Sequence, residues 1–329
     1  MTPKKTENAL IELIERTFGA VRSKALVLAV GDDAALWSPG PGYEMLLTCD
    51  WFLEGSHFLR EKHPPDAVGW KSLARAVSDV AAMGGKPCCF LLSLALPASL
   101  TGTWLSTFLR GVRRASNELG CELAGGDITQ QDKILISITV VGEVRRQNAI
   151  LRSGARPGDL IFVSGTLGEA DLGLRELQRK PGMARASDSA LRKHLYPQPR
   201  LELGQWLAGK HLATSMMDIS DGLSTDLRRL CTASKVGALV DASSLPGVPS
   251  AKAADARELA LHGGDDYELL FTVSARNAAR LPSRFRGLRL THIGEMIPKR
   301  KIVLKAAQGK YEPLRPGGWD PFRKQSPQN

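Results

Sequence analysis

The chain has 329 residues, enough for two ordinary cores. Hydrophobic residues make up 43% and charged residues 24%, which excludes disordered and fibrous classes. The net charge of +10 favours anionic ligands, but basic residues are scattered and aromatics are only 6%, so small phosphorylated ligands are expected rather than nucleic acid.

No apolar run reaches the roughly 18–20 residues of a membrane helix. Glu12 interrupts the first apolar stretch, against a signal peptide, and a cytoplasmic protein is expected. Five cysteines (Cys49, Cys88, Cys89, Cys121 and Cys231) form no Cys-x-x-Cys pair, which predicts buried free thiols rather than disulfides or a zinc site.

An amphipathic helix is expected from Glu7 to Phe18, then a strand from Tyr43 to Cys49 that ends at Asp50. Pro64-Pro65-Asp66 starts a helix through Trp70, Leu73, Val77 and Val80, stopped at Gly84-Gly85. Phe90–Leu96 reads as a strand, Trp104–Leu119 as a helix and Ile134–Val141 as a strand with period-two alternation. Arg152–Asp159 is turn chemistry and marks the expected boundary between domains 1–150 and 151–329. Beyond it, Leu160–Ser164 is a strand, Gly165–Gly168 leads into a helix, and 180–189 is a polar loop. Met216–Asp218 then feeds a helix over Leu223–Leu230, and a strand follows over Tyr267–Val273. The fold class is α+β, in two layered α/β domains.

Six acidic turns stand out: Gly31–Ala34, Thr48–Asp50, Ser78-Asp79, Gly125–Asp127, Asp218–Gly222 and Gly263–Asp266. Singly, each reads as a cap or a turn, because aspartate accepts bonds from nearby backbone N–H groups. Together they gather carboxylates at strand ends and beside glycines, where a hard cation offsets their repulsion. Magnesium suits such oxygen donors and is commonly held by carboxylates and substrate phosphates together. Histidine is scarce, at six residues, and no His-Glu-x-x-His occurs, against a zinc hydrolase. Lys71, Arg75 and Asp79 share a helical face, which is either a surface ion ladder or a ligand-bearing face with cations beside it. No P-loop, dinucleotide-binding fingerprint or protein-kinase motif set is present. Gly165–Gly168 before a helix is a weak candidate phosphate cradle.

In order and spacing these segments resemble the thiamine-monophosphate kinases, relatives of aminoimidazole-ribonucleotide synthetase and selenophosphate synthetase. The resemblance runs from about Glu12 to Phe322 and includes Glu54–Phe58, Ser78–Gly84, Gly125–Thr129, Arg152–Asp159, Asp218–Leu223 and Gly264–Leu269. It implies a two-domain synthetase-type fold: an N-terminal sheet domain that pairs with its twin in a homodimer, and a C-terminal α+β domain. It also implies transfer of phosphate from ATP to thiamine monophosphate with Mg2+. By position, Asp33, Thr48, Cys49, Asp50, Asp79, Asp127, Asp218 and Asp221 resemble the magnesium residues. Gly126, Asp127, Arg152 and Ser220 resemble nucleotide contacts, and His57, Asp265 and Trp319 resemble thiamine-side contacts. Cys49 stands where a hydroxyl residue is usual, Asp265 where glutamate is usual, and Trp319 where other aromatics appear. Selenophosphate synthetase should carry a reactive cysteine near its N-terminus, whereas no cysteine precedes Cys49 here. No general base is expected, since a phosphate acceptor is already ionised near neutrality.

Overall fold

The computed structural model describes residues 7–19, 23–29, 34–179, 182, 189–248, 253–306 and 309–322. Asp33 and nearly all of the 180–189 loop lie outside the described residues. The chain forms two compact units: Met1–Ala149 with Glu176–Ser187 and Leu195–Trp206, and Ile150–Arg175 with Asp188–His194 and Leu207–Asn329.

The first unit contains α1 (Glu7–Phe18), a small hairpin of β1 (Leu26–Leu28) and β2 (Leu36–Trp37), then β3 (Tyr43–Leu53), α2 (Pro65–Ala82), β4 (Lys86–Leu96), α3 (Thr103–Leu119), β5 (Glu122–Gln130) and β6 (Leu135–Arg145). Its main sheet has the order β3-β6-β4-β5, antiparallel except for the β4–β5 pair. Alternation sorts β3 into two faces. Leu46, Thr48, Asp50 and Phe52 are partly or fully buried, while Met45, Leu47, Cys49 and Trp51 are exposed. Leu73, Val77 and Val80 of α2 join Phe90, Leu92, Leu94, Ile136 and Ile138 of the sheet in one core. Gly69 and Gly111 bring α2 and α3 together: a Cβ at either would overlap a backbone carbonyl of the other helix. Pro65 opens α2 at a position where its missing N–H costs nothing.

Two expectations change here. Asp50 does not end its strand, because β3 continues to Leu53 in full register with β6. Gly125-Gly126-Asp127 is not a turn but the middle of β5.

The second unit contains β7 (Leu160–Ser164), α4 (Glu169–Arg179) and α5 (Ser189–Leu195), both shared in part with the first unit, α6 (Leu201–Gly209), shared likewise, and β8 (Ala213–Ile219), α7 (Leu223–Ser234), β9 (Gly237–Asp241), α8 (Ala253–His262), β10 (Glu268–Val273), α9 (Ala275–Ala278), β11 (Arg284–Phe285), β12 (Leu288–Ile297), β13 (Ile302–Lys305) and β14 (Tyr311–Pro313). The sheet runs β14-β13-β9-β12-β7-β10-β8, with β11 paired to β12. Its core joins Val163, Met217, Ile219, Leu270 and Ile293 of the sheet to Leu223, Leu227 and Leu230 of α7.

Candidate functional site

In the first unit, one face of β3 meets the last turns of α2. The Thr48 hydroxyl donates to Asp79 Oδ2 at 2.5 Å. Arg75, one helical turn before Asp79, pairs through Nε with Asp50 Oδ2 at 3.9 Å and lies over the Phe52 ring. Lys71 is fully buried, so this helical face is not a solvent-exposed ion ladder. Two carboxylates and a hydroxyl therefore share one face with a guanidinium.

Cys49 and Asp127 lie elsewhere. The Cys49 side chain projects from the opposite face of β3, where Sγ stands 3.3 Å from Ser137 Oγ. It is also the exception to the expectation of buried thiols, since the other four cysteines are buried. Burial pushes the thiols of Cys88, Cys89 and Cys231 up to about 12, 11 and 12. Asp127 is aligned with Ser93, which is aligned with Ser137, so it belongs to the Cys49 face. β3 and β5 are the two edges of this sheet, which separates Asp50 from Asp127 by roughly 14 Å at strand spacing. Gly126 carries no side chain because a Cβ there would overlap the Leu92 carbonyl. Next to β3, the Leu53 N–H donates to His57 Nδ1 at 3.1 Å, which makes Nε2 the protonated nitrogen of a neutral ring.

In the second unit, Asp218 is buried at the end of β8, followed by the Ser220-Asp221-Gly222 turn into α7. Residue 265 is bonded to this turn, with Asp265 N–H donating to Ser220 O at 2.8 Å. Trp319 N–H donates to Asp221 O at 2.9 Å, so residues 220, 221, 265 and 319 form one cluster. Asp265 and Tyr267 both adopt positive φ, at 66° and 52°. For non-glycine residues such conformations cost roughly 1–3 kcal/mol each, and the bonded turn holds them in place. Tyr267 Oη donates to Asp265 Oδ1 at 2.9 Å, and His194 Nδ1 stands 3.8 Å from Asp265 Oδ2. The exposed Arg152 follows Leu151, whose carbonyl accepts from Met216 N–H of β8 at 3.0 Å.

Sequence reasoning did not single out Asp226, and it placed Asp266 and Glu268 in notable segments without giving them a supporting role. Asp226 is fully buried and accepts from the N–H groups of Ser220 and Asp221 at 3.1 and 3.0 Å. Arg229 bridges Asp226 Oδ1 at 2.7 Å and Asp221 Oδ2 at 2.5 Å. Burial, then the Asp221 charge, pushes the Asp226 carboxyl up to about 7 against the pull of Arg229 and an N–H bond. Asp266 is also fully buried and accepts from Gly168 N–H at 2.5 Å and Ala170 N–H at 3.1 Å. It caps α4 from within the protein, so the Gly168 N–H of the Gly165–Gly168 turn is not a donor for a phosphate. Buried Glu268 accepts from Ser164 Oγ at 2.5 Å and pairs with Lys193. The available signal was position: Asp226 sits in the first turn of a helix that follows an acidic turn, where a carboxylate can reach back to free N–H groups.

Thr48, Asp50 and Asp79 in the first unit, and separately Asp218 and Asp221 in the second, are hard oxygen donors, the chemistry of Mg2+ rather than zinc. Among the described residues no three His, Cys, Asp or Glu side chains form a metal cage by themselves. Each group by itself is small and fits a cation that keeps waters or phosphate oxygens among its ligands.

Family models for AIR synthase related protein match this chain over residues 31–144, the N-terminal domain, and 156–307, the C-terminal domain. The thiamine-monophosphate kinase of Escherichia coli strain K12 is 36% identical over 320 residues, covering 94% of this chain and 97% of that protein. The crystal structure of the thiamine-monophosphate kinase from Stenotrophomonas maltophilia K279a matches with a TM-score of 0.80 at 36% identity, covering 92% of this chain and 97% of the other. The structure of AaThiL complexed with AMPPCP and TMP matches with a TM-score of 0.75 at 36% identity, covering 95% and 96% of the two chains. The chain belongs to the thiamine-monophosphate kinase family, built from AIR synthase related N- and C-terminal domains.

Proposed function

We infer that this protein is an ATP-dependent kinase that phosphorylates thiamine monophosphate to thiamine diphosphate, releasing ADP. The observation that carries the reading is similarity to thiamine-monophosphate kinases over nearly the whole length of both chains, at 36% identity.

The nucleophile is a phosphate oxygen of the acceptor. With a second pKa of about 6 it is ionised near neutrality and needs no general base. The difficulty is repulsion between two anions, and positioning and charge stabilisation supply most of the catalysis. Mg2+ is the expected cofactor, and when bound it neutralises phosphate charge and orients the reacting oxygens. Thr48, Asp50, Asp79 and Asp127 of the first unit, and Asp218 and Asp221 of the second, are the residues proposed to hold it, with Asp33. Cys49 is proposed with them; its side chain lies on the face opposite Thr48 and Asp50. Gly126, Asp127, Arg152 and Ser220 are assigned to ATP, with the Arg152 guanidinium opposing phosphate charge. His57, Asp265 and Trp319 are assigned to the thiamine moiety. The neutral His57 ring can donate through Nε2.

The homodimer is part of the proposal. Leu47 is 73% exposed and Trp51 55%, with Met45 and Leu91 on the same sheet face. An apolar face of this kind suits a partner surface. A cytoplasmic location is proposed as well. No described helix is long and apolar enough to cross a membrane.

The test is an assay with ATP, Mg2+ and thiamine monophosphate, with product identified as thiamine diphosphate. Free thiamine should not react. Phosphorylation of free thiamine, or no transfer to the monophosphate, would overturn the assignment.

A further inference from the structure

We propose that Asp226 is a positioning residue that sets the Ser220-Asp221 turn for nucleotide and metal binding, acting through that turn rather than touching a ligand. The proposal rests on the reading of Ser220 and Asp221 given above.

Three observations carry it. Asp226 has no exposed surface, so its carboxylate is not available to a ligand. Its Oδ2 accepts from two successive backbone N–H groups, those of Ser220 and Asp221. Its Oδ1 accepts from Arg229, whose other terminal nitrogen holds the Asp221 carboxylate. One buried carboxylate thus fixes the backbone of both residues and, through one guanidinium, the side chain of the second.

The rest of the turn is fixed on its carbonyl side. Ser220 O accepts from Asp265 N–H and Asp221 O from Trp319 N–H. Asp226 supplies the matching restraint on the N–H side. Gly222, the residue before α7, makes no side-chain cap, so this carboxylate takes over the task a capping residue usually performs. A simple cap would stabilise α7 alone. This one reaches past the helix to the two residues assigned to the nucleotide and the metal. Bonds to a charged acceptor in a buried setting are strong and directional, which suits them to orienting a turn.

The experiment measures binding of Mn2+ with β,γ-methylene ATP by calorimetry, KM for ATP and for the acceptor, and thermal unfolding. The variants are Asp226→Ala, Asp226→Asn and Asp221→Ala. Leu230→Ala, which removes core contacts from the same helix, is the stability-matched control. Asp226→Ala is expected to weaken nucleotide binding by roughly tenfold or more. Asp226→Asn, which keeps a neutral acceptor toward the two N–H groups, should weaken it by about threefold. Leu230→Ala should lose stability without losing affinity. Parent-like affinity in a folded Asp226→Ala protein would overturn the proposal. So would an equal loss in Leu230→Ala. If Asp226→Ala does not fold, parent-like affinity in Asp226→Asn does the same. Impaired Asp221→Ala with unimpaired Asp226 variants rejects the positioning role alone. Unimpaired Asp221→Ala rejects the underlying assignment and the proposal with it.

Discussion

The Thr48 hydroxyl donates to the Asp79 carboxylate at 2.5 Å, joining the middle of β3 to the last turn of α2. The bond orients a carboxylate proposed to serve magnesium. We predict that Asp79→Ala abolishes turnover while the protein still folds. Thr48→Val should lower turnover and raise the Mg2+ concentration needed for half-maximal rate. Its cost in stability should be about 1 kcal/mol, the usual net value of one hydrogen bond. Steady-state rates across a magnesium series, with thermal unfolding of each variant, check both. An Asp79→Ala enzyme that stays active and magnesium-dependent would remove Asp79 from the metal site.

Metal removal should separate binding from folding. Of the proposed donors, Thr48, Asp50, Asp79, Asp127 and Asp218 lie on strands or a helix, and each unit has its own apolar core. We predict that a chelator eliminates transfer from ATP, that added Mg2+ restores it, and that the far-ultraviolet circular dichroism stays constant throughout. Loss of helical signal on chelation would instead make the metal a structural element.

The fold was readable where periodicity was strong. The 3.6-residue pattern of α2 and the apolar run of β7 need only local chemistry to be recognised. β5 was hidden because Gly125-Gly126-Asp127 has the composition of a turn. The glycine is required instead by close approach to the Leu92 carbonyl of the next strand, a tertiary fact. Asp50 was misplaced at a strand end for a related reason. A carboxylate in mid-strand is unusual, and the Arg75 side chain packed from α2, a tertiary neighbour, helps to make it reasonable. The acidic series itself was legible as a pattern. The buried supporting role of Asp226, Asp266 and Glu268 was not, since nothing in composition distinguishes a buried acid with partners from an exposed one.

Asp266 should give stability a pH dependence of definite sign. Burial pushes its carboxyl from 3.8 up to about 7, with Lys193 and the Gly168 and Ala170 N–H groups opposing and Glu268 adding to the rise. Between about pH 4 and pH 7 the folded chain therefore binds a proton that the unfolded chain has released. Stability from this group is fully present below the unfolded value and falls as pH rises through about 7. We predict that unfolding experiments at pH 5 and pH 8 show a larger loss in the parent than in Asp266→Asn, which cannot ionise. Equal pH slopes would exclude Asp266 as the source.

Gly126 offers a test of backbone fit at a position also assigned to the nucleotide. A Cβ there would overlap the Leu92 carbonyl of the paired strand, so Gly126→Ala must push β4 and β5 apart. Overpacking of this kind costs about 1–3 kcal/mol. Denaturant unfolding should report that loss, and nucleotide affinity should fall with it. Gly125 is a control on the same strand: a Cβ there meets the Leu91 side chain at 3.4 Å, an ordinary contact with a movable group. Gly125→Ala should therefore be much less destabilising. Similar costs at both positions would mean that strand approach does not select glycine at 126.

The exposed face of the first unit's sheet should be where two copies meet. Leu47 lies on it at 73% exposure, aligned with Val141 on β6, and has no contact role in the buried core on the other side of β3. A charge at this position would have to be buried if the faces pair, and an unpaired buried charge is strongly unfavourable. On an unpaired face the same charge would be solvated and nearly neutral in effect. Leu47→Glu should therefore shift the protein from dimer to monomer in light scattering while leaving each copy's helical signal intact. Activity should fall with dissociation and recover as protein concentration rises, because mass action restores the pair. If Leu47→Glu scatters as the parent does, with the same concentration dependence, then the copies do not associate through this face.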